Sequence, residues 1–214
     1  MTDKELGKLQ KSTFGYFLKE TNPENGMVPD STKENAAASI AAIGFALTAY
    51  PIGVEREYLT RGEAVRRVLT TLRFFWKSPQ GEAPDATGYQ GFYYHFLDMK
   101  TGRRANGSEL STIDTAFLIA GALVAGMYFD RDTLEEREIR TLADALYARV
   151  DWQWAQNGGL KVTHGWKPGT GFLNHHWSGY SEALILYALG LGSPSHPLPT
   201  GSYVAWTESY RWKN

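Results

Sequence analysis

Residues 111–128 read STIDTAFLIAGALVAGMY, with one acid at Asp114 and no charge from there to Tyr128. A helix this apolar on every side has no wet face, and its many small residues let neighbours approach closely. Residues 36–49 (AAASIAAIGFALTA) and 180–191 (YSEALILYALGL) have the same character. The segments between them differ. Residues 3–20, 60–77 and 132–150 are amphipathic; in the second, Val65, Val68, Leu69 and Leu72 share one face, with Arg66, Arg67 and Arg73 elsewhere. The order is therefore amphipathic, apolar, repeated three times. An inner ring of helices inside an outer ring produces this alternation, and three αα-hairpins make half of such a double ring. The sequence predicts an all-α fold in a single domain over 1–214. Only short strands are expected, at Phe92–Leu97 and Leu160–Thr163.

The connections are asymmetric. After an apolar helix the link is short (51–59, 129–131). Before one it is long (21–35, 78–110, 151–179). Long loops in a compact domain are commonly functional, and all three enter inner helices at the same end. They should meet at one mouth. Two of them carry aromatics, including Tyr89, Phe92, Tyr93, Tyr94 and Phe96, then Trp152, Trp154, Trp166, Phe172 and Trp177. Aromatic rings are flat platforms for sugar faces. Nearby acids offer proton transfer.

Composition narrows the alternatives. The net charge of −1 gives no basic field for nucleic acid or acidic lipid. The chain has no cysteine, so disulfides and thiolate metal sites are excluded. No uncharged apolar run is long enough to span a membrane, and MTDKELGKLQ has no apolar signal core. There is no G-x-S-x-G elbow, Walker loop or dinucleotide fingerprint. No cofactor is expected. Neighbouring His175 and His176 are poorly placed to chelate one ion and have no third ligand at suitable spacing, so no metal is expected either.

From Gln10 to Trp212 the chain resembles the glycoamylase-like family, which includes bacterial endo-β-1,2-glucanases and the glycoamylase-like regions of cyclic β-1,2-glucan synthases. Six ordered pieces carry the resemblance: NPENGMVPD (22–30), SIAAIGFALTAYPIGVERE (39–57), GFYYHFLDMKTGRR (91–104), SELSTIDTAFLIAGAL (108–123), DWQWAQNGG (151–159) and GYSEALILYALGLGSPSHPL (179–198). The resemblance implies an (α/α)6 toroid, of which this chain would be the N-terminal half, three of six hairpins. It also implies hydrolysis of a β-glucan, by an inverting route in the endo-β-1,2-glucanases. An oligo- or polysaccharide is then the expected partner, with no nucleic acid and no membrane. A self-contained half-ring closed by dimerisation is the alternative architecture. Export would need a leader that MTDKELGKLQ does not supply.

An inverting glycosidase needs an acid and a base roughly 6.5–9.5 Å apart. Glu182 follows an aromatic loop at the start of the third apolar helix, and Gly179-Tyr180-Ser181-Glu182-Ala183 looks like the family's GY-x-EA motif. Glu109 stands between the aromatic block and the second apolar helix. Asp114 is the third candidate, although Ser111-Thr112-Ile113-Asp114 also reads as a capping box in which Asp114 reaches back to the Ser111 amide. Candidate sugar contacts are Asp30, Tyr93, Phe96, Arg103, Trp166, His176 and Trp177. Asp98 and Asn106 read as turn formers. Two further readings remain open: a glycan-binding or structural domain without catalysis, and a lyase or phosphorylase on the same scaffold.

Overall fold

The computed structural model describes residues 2–210. Helices α1 (Asp3–Lys19), α3 (Arg61–Lys77) and α5 (Leu134–Arg149) are the amphipathic ones; α2 (Ile40–Glu55), α4 (Thr112–Tyr128) and α6 (Leu184–Leu191) are the apolar ones. Thr60 and Glu63 form a capping box at the start of α3, and Thr2 and Glu5 do the same for α1. A seventh helix, α7 (Gly201–Thr207), follows in a stretch where none was expected. The resemblance ended at Trp212, which lies outside the described residues.

The two layers are real. Helix α4 packs on α2, α5 and α6, and α3 packs on α5. The core lies between the layers, with Ile43, Leu47 and Tyr50 of α2, Leu72 and Phe75 of α3, Ile119 of α4 and Leu146 of α5 all buried. Helices α2 and α4 touch backbone to backbone. A Cβ on Gly121 would lie 2.2 Å from the Gly44 carbonyl oxygen, and one on Gly44 would lie 2.3 Å from that of Phe117. The small residues of the apolar helices make this approach possible.

Helix α2 runs through Pro51 instead of stopping at Ala49. Proline deprives one carbonyl of its donor, at a cost of about 3 kcal/mol in a free helix. Here Tyr50, Pro51 and Gly53 are buried, and Gly53 sits so close to Phe14 and Leu59 that a Cβ would meet both at under 2.5 Å. That packing offsets the lost bond.

The all-α expectation needs correction. The fold is mostly helical but contains a five-stranded antiparallel sheet in the order β2 (Gly88–Tyr89), β3 (Phe92–Tyr94), β5 (Leu110–Ser111), β6 (Gly165–Lys167), β7 (Gly171–Phe172). A separate pair joins β1 (Ala38–Ser39) to β4 (Phe96–Leu97). Strands of two or three residues are too short to leave an alternating pattern. Their glycines are what admits the neighbours: a Cβ on Gly165 would lie 2.3 Å from the Leu110 carbonyl oxygen. The Phe92–Leu97 strand is present, split into β3 and β4 at His95. Leu160–Thr163 is not a strand; only Thr163 forms a bridge, to His176.

The sheet closes one end of the helical layers. Loop 21–35 joins the β1–β4 pair through a bridge between Pro29 and Ala38, loop 78–110 supplies β4 to that pair and β2 and β3 to the sheet, and loop 151–179 supplies β6 and β7. The three long loops therefore do meet at one mouth. One apolar stripe stays uncovered: Phe45 and Ile52 of α2, Val124 and Met127 of α4 and Leu184 of α6 are exposed, Met127 at 82%. Among the described residues no helix is long and apolar enough to cross a membrane.

Candidate functional site

Strand β5 runs straight into α4. Ser111 is the last strand residue and also the helix N-cap, its hydroxyl oxygen accepting the Asp114 amide at 3.2 Å. The expected capping box is only half made. Ser111 is held in the ladder against Tyr93 and Gly165, and the Asp114 carboxylate accepts a bond from the Ser111 hydroxyl instead of from its amide. That leaves Asp114 facing outward from the helix start, with Oδ2 at 3.7 Å from His95 Nε2.

His95 ties the acids together. At the break between β3 and β4 its amide donates to the Glu109 carbonyl at 2.9 Å, and its carbonyl accepts from Ile40 at 3.2 Å. The ring Nδ1 lies 2.9 Å from Glu109 Oε1, and Phe96 stacks on the imidazole at 4.0 Å and 13°. The hydrogen bond to Glu109 raises the His95 pKa above its ordinary value; burial opposes this, and the charges of Asp114, Glu109 and Asp30 add to it. The same bond, chiefly, pulls Glu109 down to about 2 against the desolvation penalty, with Lys167 contributing. Both shifts favour the ion pair. Glu109 is thus a carboxylate across the whole neutral range.

The pair has a pH signature. The Glu109 contribution to stability is full above its ordinary value of 4.5 and is lost as pH falls toward about 2. That of His95 is full below 6.5 and is lost as pH rises through its raised value. His95→Gln should therefore destabilise most between about pH 4.5 and 6.5, and the gap to the wild type should narrow on both sides. Urea unfolding across pH 2.5 to 9 checks this; a gap independent of pH would contradict it.

The third loop completes the wall. The Thr112 hydroxyl donates to the Thr163 carbonyl at 2.7 Å and accepts from Trp177 Nε1 at 3.1 Å. Trp177 stacks on His164 at 4.1 Å and 24°. Burial pushes the His164 pKa down, His175 and His176 push it further, and the nearby charge of Glu182 pulls it back. Glu182 is exposed, in a turn ahead of α6 and not inside its first turn. The rings that were expected to desolvate it leave it in contact with solvent. Glu182 is nonetheless close enough for its charge to act on His164, and the exposed Asp30 acts in the same way on His95.

Several expected sugar contacts sit elsewhere. Tyr93 is fully buried; its hydroxyl donates to the Phe75 carbonyl at 3.1 Å, and burial raises its pKa to about 12. It braces the sheet and presents no face. Arg103 is exposed and paired with Asp85. Trp166 is registered with Leu110, one residue out of step with Glu109, so strand alternation puts it on the other face of the sheet. There it packs on Tyr89 at 5.2 Å and Trp154 at 6.1 Å. Phe96, Trp177 and Asp30 stay near the His95 cluster, whereas His176 is exposed, bridged to Thr163 and beside Leu160 and Ala205. His95, His164 and Lys167 were not expected. The only sequence signal for His95 was its position in the aromatic block. Among the described residues no three His, Asp or Glu side chains are placed to hold one metal ion.

With this geometry in view, the relatives are informative. Residues 174–214 match the Glycoamylase family model, described as "Putative glucoamylase". The chain is 29% identical over 220 residues to an exo β-1,2-glucooligosaccharide sophorohydrolase (non-reducing end) of Parabacteroides distasonis, covering 96% of this chain and 29% of that protein. A solved β-1,2-glucanase from the same organism superposes with a TM-score of 0.87 at 27% identity, over 98% of this chain and 30% of the other. An endo-β-1,2-glucanase of Chitinophaga pinensis, solved with sophorotriose and glucose, gives 0.86 at 25% identity, over 98% of this chain and 52% of the other. The chain thus spans under a third of the first two relatives and about half of the third. Its mostly helical fold is similar to those of the solved β-1,2-glucanases, of which the chain is a homologue.

Proposed function

We propose that the chain forms three hairpins of an (α/α)6 toroid, its N-terminal half, and contributes one wall of a cleft that hydrolyses a β-glucan, β-1,2-linked. The observation that carries this is the His95–Glu109–Asp114 cluster at the mouth of the inner helices, in a chain homologous to β-1,2-glucanases. The bare stripe of Phe45, Ile52, Val124, Met127 and Leu184 supports the incomplete ring, because apolar surface on an inner layer calls for cover.

In an inverting hydrolysis one carboxylate takes a proton from water as it attacks the anomeric carbon, while a carboxylic acid protonates the departing oxygen. Glu109 is held ionised, so it cannot be the acid and is left as the base, a weak one at a pKa of about 2. Asp114 steadies the imidazolium from the second ring nitrogen. Phe96 and Trp177 offer ring faces to the sugar. Glu182 is the candidate acid within this chain.

Digestion of linear β-1,2-glucan followed by proton NMR tests the reading. New reducing ends should first appear as the α-anomer, and Glu182→Gln should lower turnover by about 10²-fold or more. A β-anomer first would rule out inversion. Full turnover by Glu182→Gln would remove Glu182 from the role of acid.

A further inference from the structure

At the edge of the sheet, around the β2–β3 turn, a groove of about 520 Å³ runs between the C-terminal ends of α3 and α5, lined by Trp76, Gln80, Tyr89, Gln90 and Arg149 among others. The Arg149 guanidinium covers one face of Trp76 at 3.9 Å and is fixed there by bonds to the Trp76 carbonyl at 3.0 Å and the Phe75 carbonyl at 3.4 Å. Trp76 is still 41% exposed. Apolar surface in the groove is confined to two rings, and the remainder is amide, hydroxyl and guanidinium. A sugar has the complementary make-up, with apolar ring faces and hydroxyl edges.

Gln90 strengthens this reading. It occupies the two-residue turn between β2 and β3 at a φ of 53°, where an unbranched polar side chain is unusual. Gly91, beside it at φ 80°, is required, since a Cβ would lie 2.4 Å from the Arg149 carbonyl oxygen. Gln90 has no such steric reason, and its amide makes no hydrogen bond among the described residues. A strained residue that keeps a free amide over a groove is characteristic of a binding position. The groove also has a continuation. Tyr89 meets Trp166 at 5.2 Å and Trp154 at 5.5 Å, and Trp154 meets Phe172 at 4.7 Å. Tyr89 therefore joins the groove to a cluster of partly buried rings, with Trp166 on the sheet face opposite Glu109.

We propose that this edge groove is a second glycan subsite, which holds a remote segment of an extended β-glucan while another segment lies in the cleft. The substrate class rests on the function proposed above; the groove itself does not depend on the chemistry. It belongs to polymer capture.

Affinity electrophoresis through gels containing linear β-1,2-glucan tests this, with all proteins in a Glu109→Gln background so that the polymer stays intact. Trp76→Ala should weaken retardation about tenfold, equivalent to about 1.4 kcal/mol. Gln90→Gly removes the amide and relieves the backbone, so it should fold at least as well and bind about threefold more weakly. If Trp76→Ala does not fold, Gln90→Gly decides. Retardation that is unchanged in the folded variants overturns the proposal. So does the absence of retardation in the parent, or equal retardation by dextran. Cleavage of the polymer by the Glu109→Gln parent would instead count against Glu109 as the base and leave the groove to be judged by binding.

Discussion

Gly121→Val is expected to destabilise the protein by about 4 kcal/mol or more, lowering the melting temperature by about 10 °C or more for a domain of this size. The cause is local. A Cβ at 121 would stand 2.2 Å from the Gly44 carbonyl oxygen, and 2.9 Å from its Cα. Neither atom belongs to a side chain that can turn aside, so α2 and α4 would have to separate along their whole contact. Separation would open the layer that buries Ile43, Leu47 and Ile119. Gly15→Ala is the contrasting case. A Cβ there meets nothing within 4 Å, so the gain in helix propensity should stabilise α1 by about 0.5–1 kcal/mol. Thermal melts followed by circular dichroism separate the two. A Gly121→Val protein that melts with the wild type would mean that the helices do not meet in this way.

Glu109→Gln is expected to reduce β-glucan hydrolysis by about 10³-fold or more while leaving the helices intact. The amide keeps the size of the carboxylate and can still meet His95, but it cannot take a proton from water. His95→Gln should act differently. Without the imidazolium, the Glu109 pKa returns from about 2 toward its ordinary 4.5. The base is useful only when ionised, so the acid limb of the pH–rate profile should move upward, with loss of rate below about pH 5 and a much smaller loss near pH 7. Initial rates across pH 3 to 8 distinguish the variants. An unshifted acid limb in His95→Gln would show that this pair does not set the protonation of the base.

The helical layers were legible because their signal is long. Seventeen residues of one character, as in α3 and in α4, give a period and a composition that short-range accidents do not imitate. Their starts were less legible. Helix α2 begins at Ile40 because Ala38 and Ser39 pair with β4, and α6 begins at Leu184 because Glu182 lies in a turn. The first boundary is set by a partner far away in the chain, the second by a local turn. The sheet was hidden for the same reason, since two-residue strands exist only through their neighbours. Within the site, Glu109 could be picked out from its place between aromatics and helix. The role of His95 could not, because it depends on a break between β3 and β4 that brings residue 95 to residue 109. Tyr93 and Trp166 were assigned by residue type, whereas register decides which face each one occupies. Asp114 was weighed between capping and chemistry, and the structure lets it serve the cap through the Ser111 hydroxyl while it faces His95.

Ser111 ends a strand and begins a helix with no loop between. Glu109 and Asp114 are therefore carried on a single rigid piece of backbone, clamped by β3 on one side, by β6 on the other and by the layer behind α4. Such a mounting has no hinge. The two acids cannot drift apart as a surface loop breathes, and warming would disable them by melting the whole domain, not by loosening the pair beforehand.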